Sequence, residues 1–450
     1  MRLIIVGVGK VGATLVEKLS KEDHDLVVVD KDSEEIETLV NKFDVRGVCG
    51  SGCEREVLLK AEADKADFFI ACTNRDELNI LCCMLAKNLG TKHTIARVRE
   101  PEYFTEIDYM SKELGIDFMF NPEYRTAQEI AQVLKFPFAV SIESFAGGRV
   151  MMMELKIASD NPIVGKKVMD IAKDFNAKVL FSMVERDDEV FIPKGDFVIM
   201  AGDKLRITAE DKDLALFCKK LHVYKQRSRS VFIVGGGKVG YYLAKELLAS
   251  GVGVKIIDRS EDRCDELKDS LRKATVLCGD GTDPEVLDEE GFKSSDACVA
   301  LTAQDESNVI IGLYASSLGI KKVIAKVDSS TVADMVSDFG LDSVIAPRNV
   351  IANHILRFVR AFQSGSGRGI STLYKLHEEV EALEFNVSED FPGLNVPIKE
   401  LELKDNCLFC GIVRDKEFII PTGDVCFRYG DKVLVVTTDM TVNDLNQLLK

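Results

Sequence analysis

"VGVGKVG", residues 6–12, follows an apolar run at 3–6, opens an amphipathic stretch at 11–19, and precedes an acid, Asp30, that closes the next apolar run. A six-residue glycine pattern alone arises by chance. Strand, turn, helix and a distant acid in this order are instead the parts of a dinucleotide-binding βαβ unit. Gly7 permits the tight turn, Gly9 lets the backbone approach a pyrophosphate, and Gly12 allows helix to pack closely on strand. The phosphate would rest on unpaired amides at the positive end of the helix dipole. Asp30 would accept hydrogen bonds from ribose hydroxyls and repel a 2′-phosphate, which disfavours NADP.

The pattern occurs twice. "VGGGKVG", residues 234–240, carries Gly235, Gly237 and Gly240, with Asp258 in the place of Asp30, at an offset of 228 residues. The match continues with a shift of one residue, at an offset of 229: "CGSGCEREVL" (49–58) aligns with "CGDGTDPEVL" (278–287), "ACTNRDELNIL" (71–81) with "ALTAQDESNVI" (300–310), and "IARV" (95–98) with "IAKV" (324–327). Later, "FIPKGDF" (191–197) is echoed by "IIPTGDV" (419–425). The chain is therefore a tandem duplication of a two-module unit, with expected divisions at 1–135, 136–222, 223–365 and 366–450. "SGSGRG" (364–369) reads as a flexible linker, and the basic stretch around Lys219, Lys220, Lys225, Arg227 and Arg229 as another.

In the first module, apolar runs at 3–6, 26–29, 68–72 and 94–98 alternate with amphipathic helical stretches such as 11–19 and 34–42. That alternation predicts an α/β fold: two Rossmann-like, doubly wound parallel-sheet domains. The module after it has two alternating runs, "VMMMELKI" (150–157) and "KVLFSMVER" (178–186), then a Gly-Asp turn and "KLRITA" (204–209). Each Rossmann-like domain is thus expected to be followed by a small α+β lobe of short, half-exposed strands.

Composition sets the outer bounds. Over 450 residues, 46% hydrophobic and 29% charged content describe a globular chain, and no apolar run nears the roughly 20 residues that cross a bilayer. The start lacks the basic flank and cleavage site of a signal peptide, so the expected location is cytoplasmic. A net charge of −16 repels phosphate backbones and anionic lipid, which argues against nucleic acid as a partner. The twelve cysteines are scattered. Cys49, Cys72, Cys278 and Cys298, together with the adjacent Cys82 and Cys83, are expected as buried thiols in a reducing compartment. Cys407 and Cys410 form a CxxC without a second cysteine or histidine pair at zinc spacing, and no metal ligand is assigned.

Differences between the copies carry information. Lys10 and Lys238 hold the fourth position of each turn. A lysine there can answer phosphate charge beyond what the amides neutralise, a terminal phosphate or one on a neighbouring subunit, or can simply be a solvated surface charge. Asp280 stands where the first copy has Ser51, and Lys326 where it has Arg97, whose planar fork suits bidentate phosphate binding. Unequal nucleotide affinities are expected of the two sites.

Two glycine-turn modules, each with "TNRDELN" or "TAQDESN" after the fourth strand and each followed by a lobe with a Gly-Asp turn, resemble the TrkA family of Trk-system potassium uptake proteins over essentially the whole chain. Each half is similar to an RCK (KTN, regulator of potassium conductance) domain pair. The resemblance implies a regulatory subunit that binds NAD(H) or ATP/ADP, peripheral on the inner face of the cell membrane. It implies an integral membrane potassium-translocating partner of the TrkH/TrkG type, and a homotetrameric ring of eight domains that gates the pore. It also implies pocket residues Gly7, Val8, Gly9, Lys10, Val11, Asp30, Thr73, Asn74 and Arg97, then Gly235, Gly236, Gly237, Lys238, Val239, Asp258, Asp280 and Thr302. Ala303 replaces the asparagine found at Asn74.

The competing reading is an NAD-dependent oxidoreductase with duplicated Rossmann domains. It would need a proton donor beside the nicotinamide and a dedicated substrate domain. The five histidines (His24, His93, His222, His354, His377) stand in no motif tied to the glycine turns, and His24 and His93 are expected at the surface. No catalytic residue is assigned. The run "VIANHILRFVRAF" (350–362) reads either as a subunit contact or as a core helix.

Overall fold

A computed structural model describes the chain apart from residues 23, 137–138, 176–177, 188, 222–227, 330–331, 333–340, 342, 364–369, 378, 405 and 443. The 364–369 linker and His222 lie outside the described residues, as do Lys225 and Arg227 of the basic stretch.

The first module forms β1 (Arg2–Val6), β2 (Asp25–Asp30), β3 (Arg46–Cys49), β4 (Phe68–Ala71), β5 (His93–Arg97) and β6 (Phe118–Phe120). All pair in parallel, in the order β3-β2-β1-β4-β5-β6. The central strands read as unbroken apolar runs because helices cover both faces; Leu3, Ile4 and Ile5 are fully buried. Strand order reverses between β1 and β4, and the crevice outside their carboxyl ends is where such sheets take ligands. The last strand, three residues long, is too short to show periodicity in the sequence.

The second module is a five-stranded antiparallel sheet, β10-β9-β11-β8-β7, built from β7 (Ile142–Phe145), β8 (Val150–Lys156), β9 (Leu180–Arg186), β10 (Glu189–Phe191) and β11 (Lys204–Ala209). The second half repeats the plan. Strands β12 (Ser230–Val234), β13 (Gly253–Asp258), β14 (Thr275–Cys278), β15 (Ala297–Ala300), β16 (Lys322–Lys326) and β17 (Ser343–Ile345) make the second parallel sheet. The second lobe's sheet runs β18-β19-β22-β20-β21, from β18 (Ile370–His377), β19 (Val380–Asn386), β20 (Cys407–Arg414), β21 (Glu417–Ile419) and β22 (Lys432–Thr437).

The modules group by kind rather than by order along the chain. Residues 1–131 and 229–356, the two Rossmann-like modules, form one compact unit; residues 132–228 and 357–450, the two lobes, form another. This grouping overturns the expectation of half-exposed lobe strands, for β8 is buried along six of its seven residues. One face of its sheet covers the lobe's own core with Met151, Met153 and Leu155, and the other, with Val150, Met152 and Phe145, packs on Val380, Ala382, Leu434 and Val436 of the second lobe. In the run 350–362 the described Ile351, Ala352, Ile355 and Val359 are buried within the chain, as a core helix requires.

Two cysteine expectations need correction. Cys72, Cys82, Cys83 and Cys298 are buried, but Cys49 and Cys278 are exposed because they end β3 and β14, the edge strands of their sheets. His24 departs the other way: its ring is enclosed and sits 3.2 Å from the Glu22 carboxylate.

Candidate functional site

The glycines of each turn separate into two kinds. Gly7 holds φ +87°, and a Cβ there would lie 2.6 Å from the Thr73 amide nitrogen; a Cβ on Gly12 would lie 2.0 Å from the Gly7 carbonyl. Both are demanded by the fold. Gly9 is not: nothing lies within 4 Å of its would-be Cβ, and the space stays open. Gly235, Gly240 and Gly237 repeat this division, with Gly235 at φ +109° and its would-be Cβ 2.7 Å from the Leu301 carbonyl. At the middle glycine the fold itself makes no demand, and the backbone there is open to close approach.

The helices that follow, Lys10–Leu19 and Lys238–Ala249, begin at Gly9 and Gly237 without a side-chain cap. The neighbouring helix Ser33–Lys42, by contrast, is capped by Asp32. Uncapped first-turn amides ask for an external acceptor, and the dipole asks for an anion.

The acids at the ends of β2 and β13 hold the turns in shape. Asp30 accepts from the Val8 amide at 2.7 Å and the Asp32 amide at 3.0 Å; Asp258 accepts from Gly236 and Ser260 at the same distances. Each oxygen keeps acceptor capacity for a ribose hydroxyl. Val8 is fully buried.

The loop after β4 is fixed by two side chains that sequence reasoning passed over. Buried Asn79 accepts from the Thr73 amide (2.8 Å) and hydroxyl (2.7 Å) and donates to the Arg97 carbonyl (2.9 Å). Asn308 does the same with Thr302 and the Lys326 carbonyl at identical distances. Asp76 accepts from the Arg99 and Glu100 amides, and Asp305 from Asp328 and Ser329. The signal was present: Asn and Asp recur at matching places in "TNRDELN" and "TAQDESN".

At the switch point of the first sheet lies a cavity of about 700 Å³. Gly7, Gly9, Lys10, Val11, Asp30, Thr73, Asn74 and Arg97 all line it, with Ser51. So do Val239, Lys326, Asp328 and Arg348 of the second Rossmann-like module. Sequence reasoning assigned Val239 and Lys326 to the second pocket; here they form the far wall of the first. Among the lining residues are six bases (Lys10, Lys31, Arg75, Arg97, Lys326, Arg348) and three acids (Asp30, Glu123, Asp328), a cationic hollow in an acidic protein.

Its polar groups are only partly paired. Arg97 stands 3.7 Å from Glu123, and Arg348 stands 3.6 Å from Asp328. Arg97 Nε, Glu123 Oε2, Asp328 Oδ1 and Arg348 Nε are shielded from solvent without a hydrogen-bond partner among the described residues. Burial pushes the Lys326 ammonium below its usual range, with Lys10 and Arg348 adding repulsion; burial likewise raises the Glu123 carboxyl against the pull of Arg97. Excess positive charge, orphaned donors and a strained lysine together fit a polyphosphate.

The two lysines of the turns differ in surroundings. Lys238 is ion-paired to Glu100 of the first module. Lys10 is exposed, and no acid approaches within 4 Å among the described residues. Asp280 binds the Thr282 amide and hydroxyl at 2.9 and 2.7 Å, which lowers its carboxyl pKa.

Models of two protein families match the chain: the TrkA-N domain at residues 3–122 and 231–347, and the TrkA-C domain at 152–222 and 382–450. The Trk system potassium uptake protein TrkA homolog 1 of Methanosarcina mazei is 34% identical over the full length of both chains. Trk system potassium uptake protein TrkA of Halomonas elongata is 31% identical over 100% of this chain and 99% of its own. In fold, the chain is similar to the crystal structure of the GsuK RCK domain (TM-score 0.64, 18% identity, covering 97% of this chain and 92% of that one). It is similar also to the GsuK channel bound to NAD (TM-score 0.64, 20% identity, 97% and 77% covered). With duplicated glycine turns, paired lobes and full-length relatives in agreement, the chain belongs to the TrkA family of Trk-system potassium uptake proteins.

Proposed function

We propose that the protein is the nucleotide-sensing regulatory subunit of a potassium uptake system, acting on an integral membrane potassium-translocating partner of the TrkH/TrkG type from the inner face of the cell membrane. The observation that carries this is the cavity at the first glycine turn, whose walls come from both Rossmann-like modules. A ligand shifts a conformational equilibrium only through different affinity for two arrangements, and one that touches both modules discriminates between their relative placements. The division at 1–135, 136–222, 223–365 and 366–450 is part of this reading, as is assembly into a homotetramer. Leu81 (47% exposed) and Ile310 (63% exposed), on equivalent helices of the two copies, would supply matching apolar contacts in such an assembly.

The proposed ligands are NAD(H) and ATP or ADP. Pyrophosphate would lie over Gly9 on the amides of the helix Lys10–Leu19, and the cations Lys10, Arg97, Lys326 and Arg348 would answer any terminal phosphate. At the second turn the same role falls to Gly235, Gly237 and Gly240, with Asp258, Asp280 and Thr302 at its rim. The alternative, an NAD-dependent oxidoreductase, would need a proton donor beside the nicotinamide and a substrate domain, and steady turnover would reveal it. The deciding test is potassium flux in proteoliposomes holding the membrane subunit and this protein, across ATP, ADP, NAD and NADH. Flux that changes between nucleotides supports the proposal; flux indifferent to every nucleotide, or steady NADH turnover with a small substrate, overturns it.

A further inference from the structure

The second glycine turn is wired to the first site. Lys238, at the start of the second turn's helix, is ion-paired to Glu100. The backbone of Glu100 and its neighbour Arg99 is held by Asp76, whose Oδ2 accepts their amides at 2.8 and 2.7 Å. Arg99 in turn donates from Nη2 to the carbonyl of Asn74, 2.5 Å away, and Asn74 lines the first cavity. On the other side, Tyr242 of the same helix donates its hydroxyl to the Arg99 carbonyl (3.2 Å), where Asn121 also donates (3.1 Å). Val239, next to Lys238, is itself on the first cavity's wall.

Among the described residues the duplicate lacks this wiring. Ser329 stands in place of Glu100, Thr14 in place of Tyr242, and Lys10 has no acid within 4 Å among the described residues. Among the described residues the connection therefore runs in one direction, from the second turn to the first site, with no counterpart from the first turn to the second.

We propose that a phosphate-bearing ligand on the second glycine turn draws Lys238 away from Glu100 and so weakens nucleotide binding at the first site. This rests on the reading that both turns bind nucleotide, and it assigns the second turn as the regulator of the first. The Lys238–Glu100 pair is partly open, at 33% and 47% side-chain exposure, and a pair of that kind holds weakly. A phosphate offers more charge and several acceptor oxygens to the same ammonium, and wins it. Once released, the Arg99–Glu100 segment keeps Asp76 and the Tyr242 hydroxyl but loses its ionic tether to the second Rossmann-like module, and the Asn74 carbonyl is left with a less firmly held donor. Coupling is reciprocal, so a filled first site lowers affinity at the second turn by the same factor.

The test uses the full chain with ADP and NADH as calorimetric probes. Gly9→Ala and Gly237→Ala each place a methyl where nothing lies within 4 Å, so they block one turn without disturbing the fold. With the second turn blocked by Gly237→Ala, the first site should bind about fivefold or more tightly than in the wild type saturated at its second turn. Glu100→Ser, the residue of the other copy, and Lys238→Met should each give the weaker first-site affinity whether or not the second turn is filled. Equal first-site affinity in wild type and Gly237→Ala, with both turns shown to bind, overturns the coupling alone. Absence of ADP and NADH binding at both turns overturns the nucleotide reading and the coupling with it.

Discussion

At the residue scale, the glycine turn is legible from sequence in its pattern but not in its division of labour. The spacing of Gly7, Gly9 and Gly12 identifies the turn; only the built backbone shows that the first and third are fixed by collision and the middle one by open space. The two predict different failures. Gly7→Ala should cost about 1–3 kcal/mol in urea denaturation, because it puts a side chain at φ +87° against the Thr73 backbone. Gly9→Ala should leave that transition within about 0.5 kcal/mol, yet reduce nucleotide affinity at the first site at least tenfold by calorimetry, since the methyl occupies the pyrophosphate's approach. Asn79 and Asp76 escaped prediction because a buried side chain bonded to backbone leaves no periodic trace. Repetition alone marks them.

At the scale of elements, strands with four or more apolar residues were readable, and those ended by polar or very short segments were not. The β6 and β17 strands have three residues each, and Cys49 and Cys278 looked buried because their apolar neighbours hid the fact that they close edge strands. Lys326, at the end of β16, shows an element delivering a residue to a site its own copy does not contain. Its ammonium is depressed by burial below the ordinary 10.5, so in the alkaline range just below that value the folded chain carries fewer protons than the unfolded one. The contribution of this group to stability accordingly rises with pH through that range. A bound phosphate restores the charge. In that same alkaline range nucleotide binding there should take up protons, seen as a buffer-dependent calorimetric enthalpy, and Lys326→Arg should abolish the dependence because a guanidinium stays charged throughout. Uptake unchanged in that variant would move the titration to another group.

At the scale of the molecule, the four-module order was plain from the repeat, while the pairing of like with like was not, because no sequence pattern says which neighbour covers an exposed face. The lobe sheets are the clearest case: Met152 reads as one position of an alternating strand, but it is fully buried against the opposite lobe. Met152→Ala should therefore cost about 2–5 kcal/mol in chemical denaturation. Met169→Ala, at a position 45% exposed, should cost no more than about 0.5 kcal/mol. Equal effects would mean the lobe faces contribute nothing to each other's stability.

The joining of both Rossmann-like modules into one unit of a single chain has a consequence for how the proposed sensor would behave on dilution. Two separate copies would meet at a rate set by their abundance, and would part when scarce. Covalently tethered modules face each other at an effective concentration on the order of millimolar, whatever the number of molecules in the cell. The opposing walls of the first cavity are thus brought together at any expression level, and under the proposed function what the site reports would depend on the nucleotide pool rather than on the number of chains.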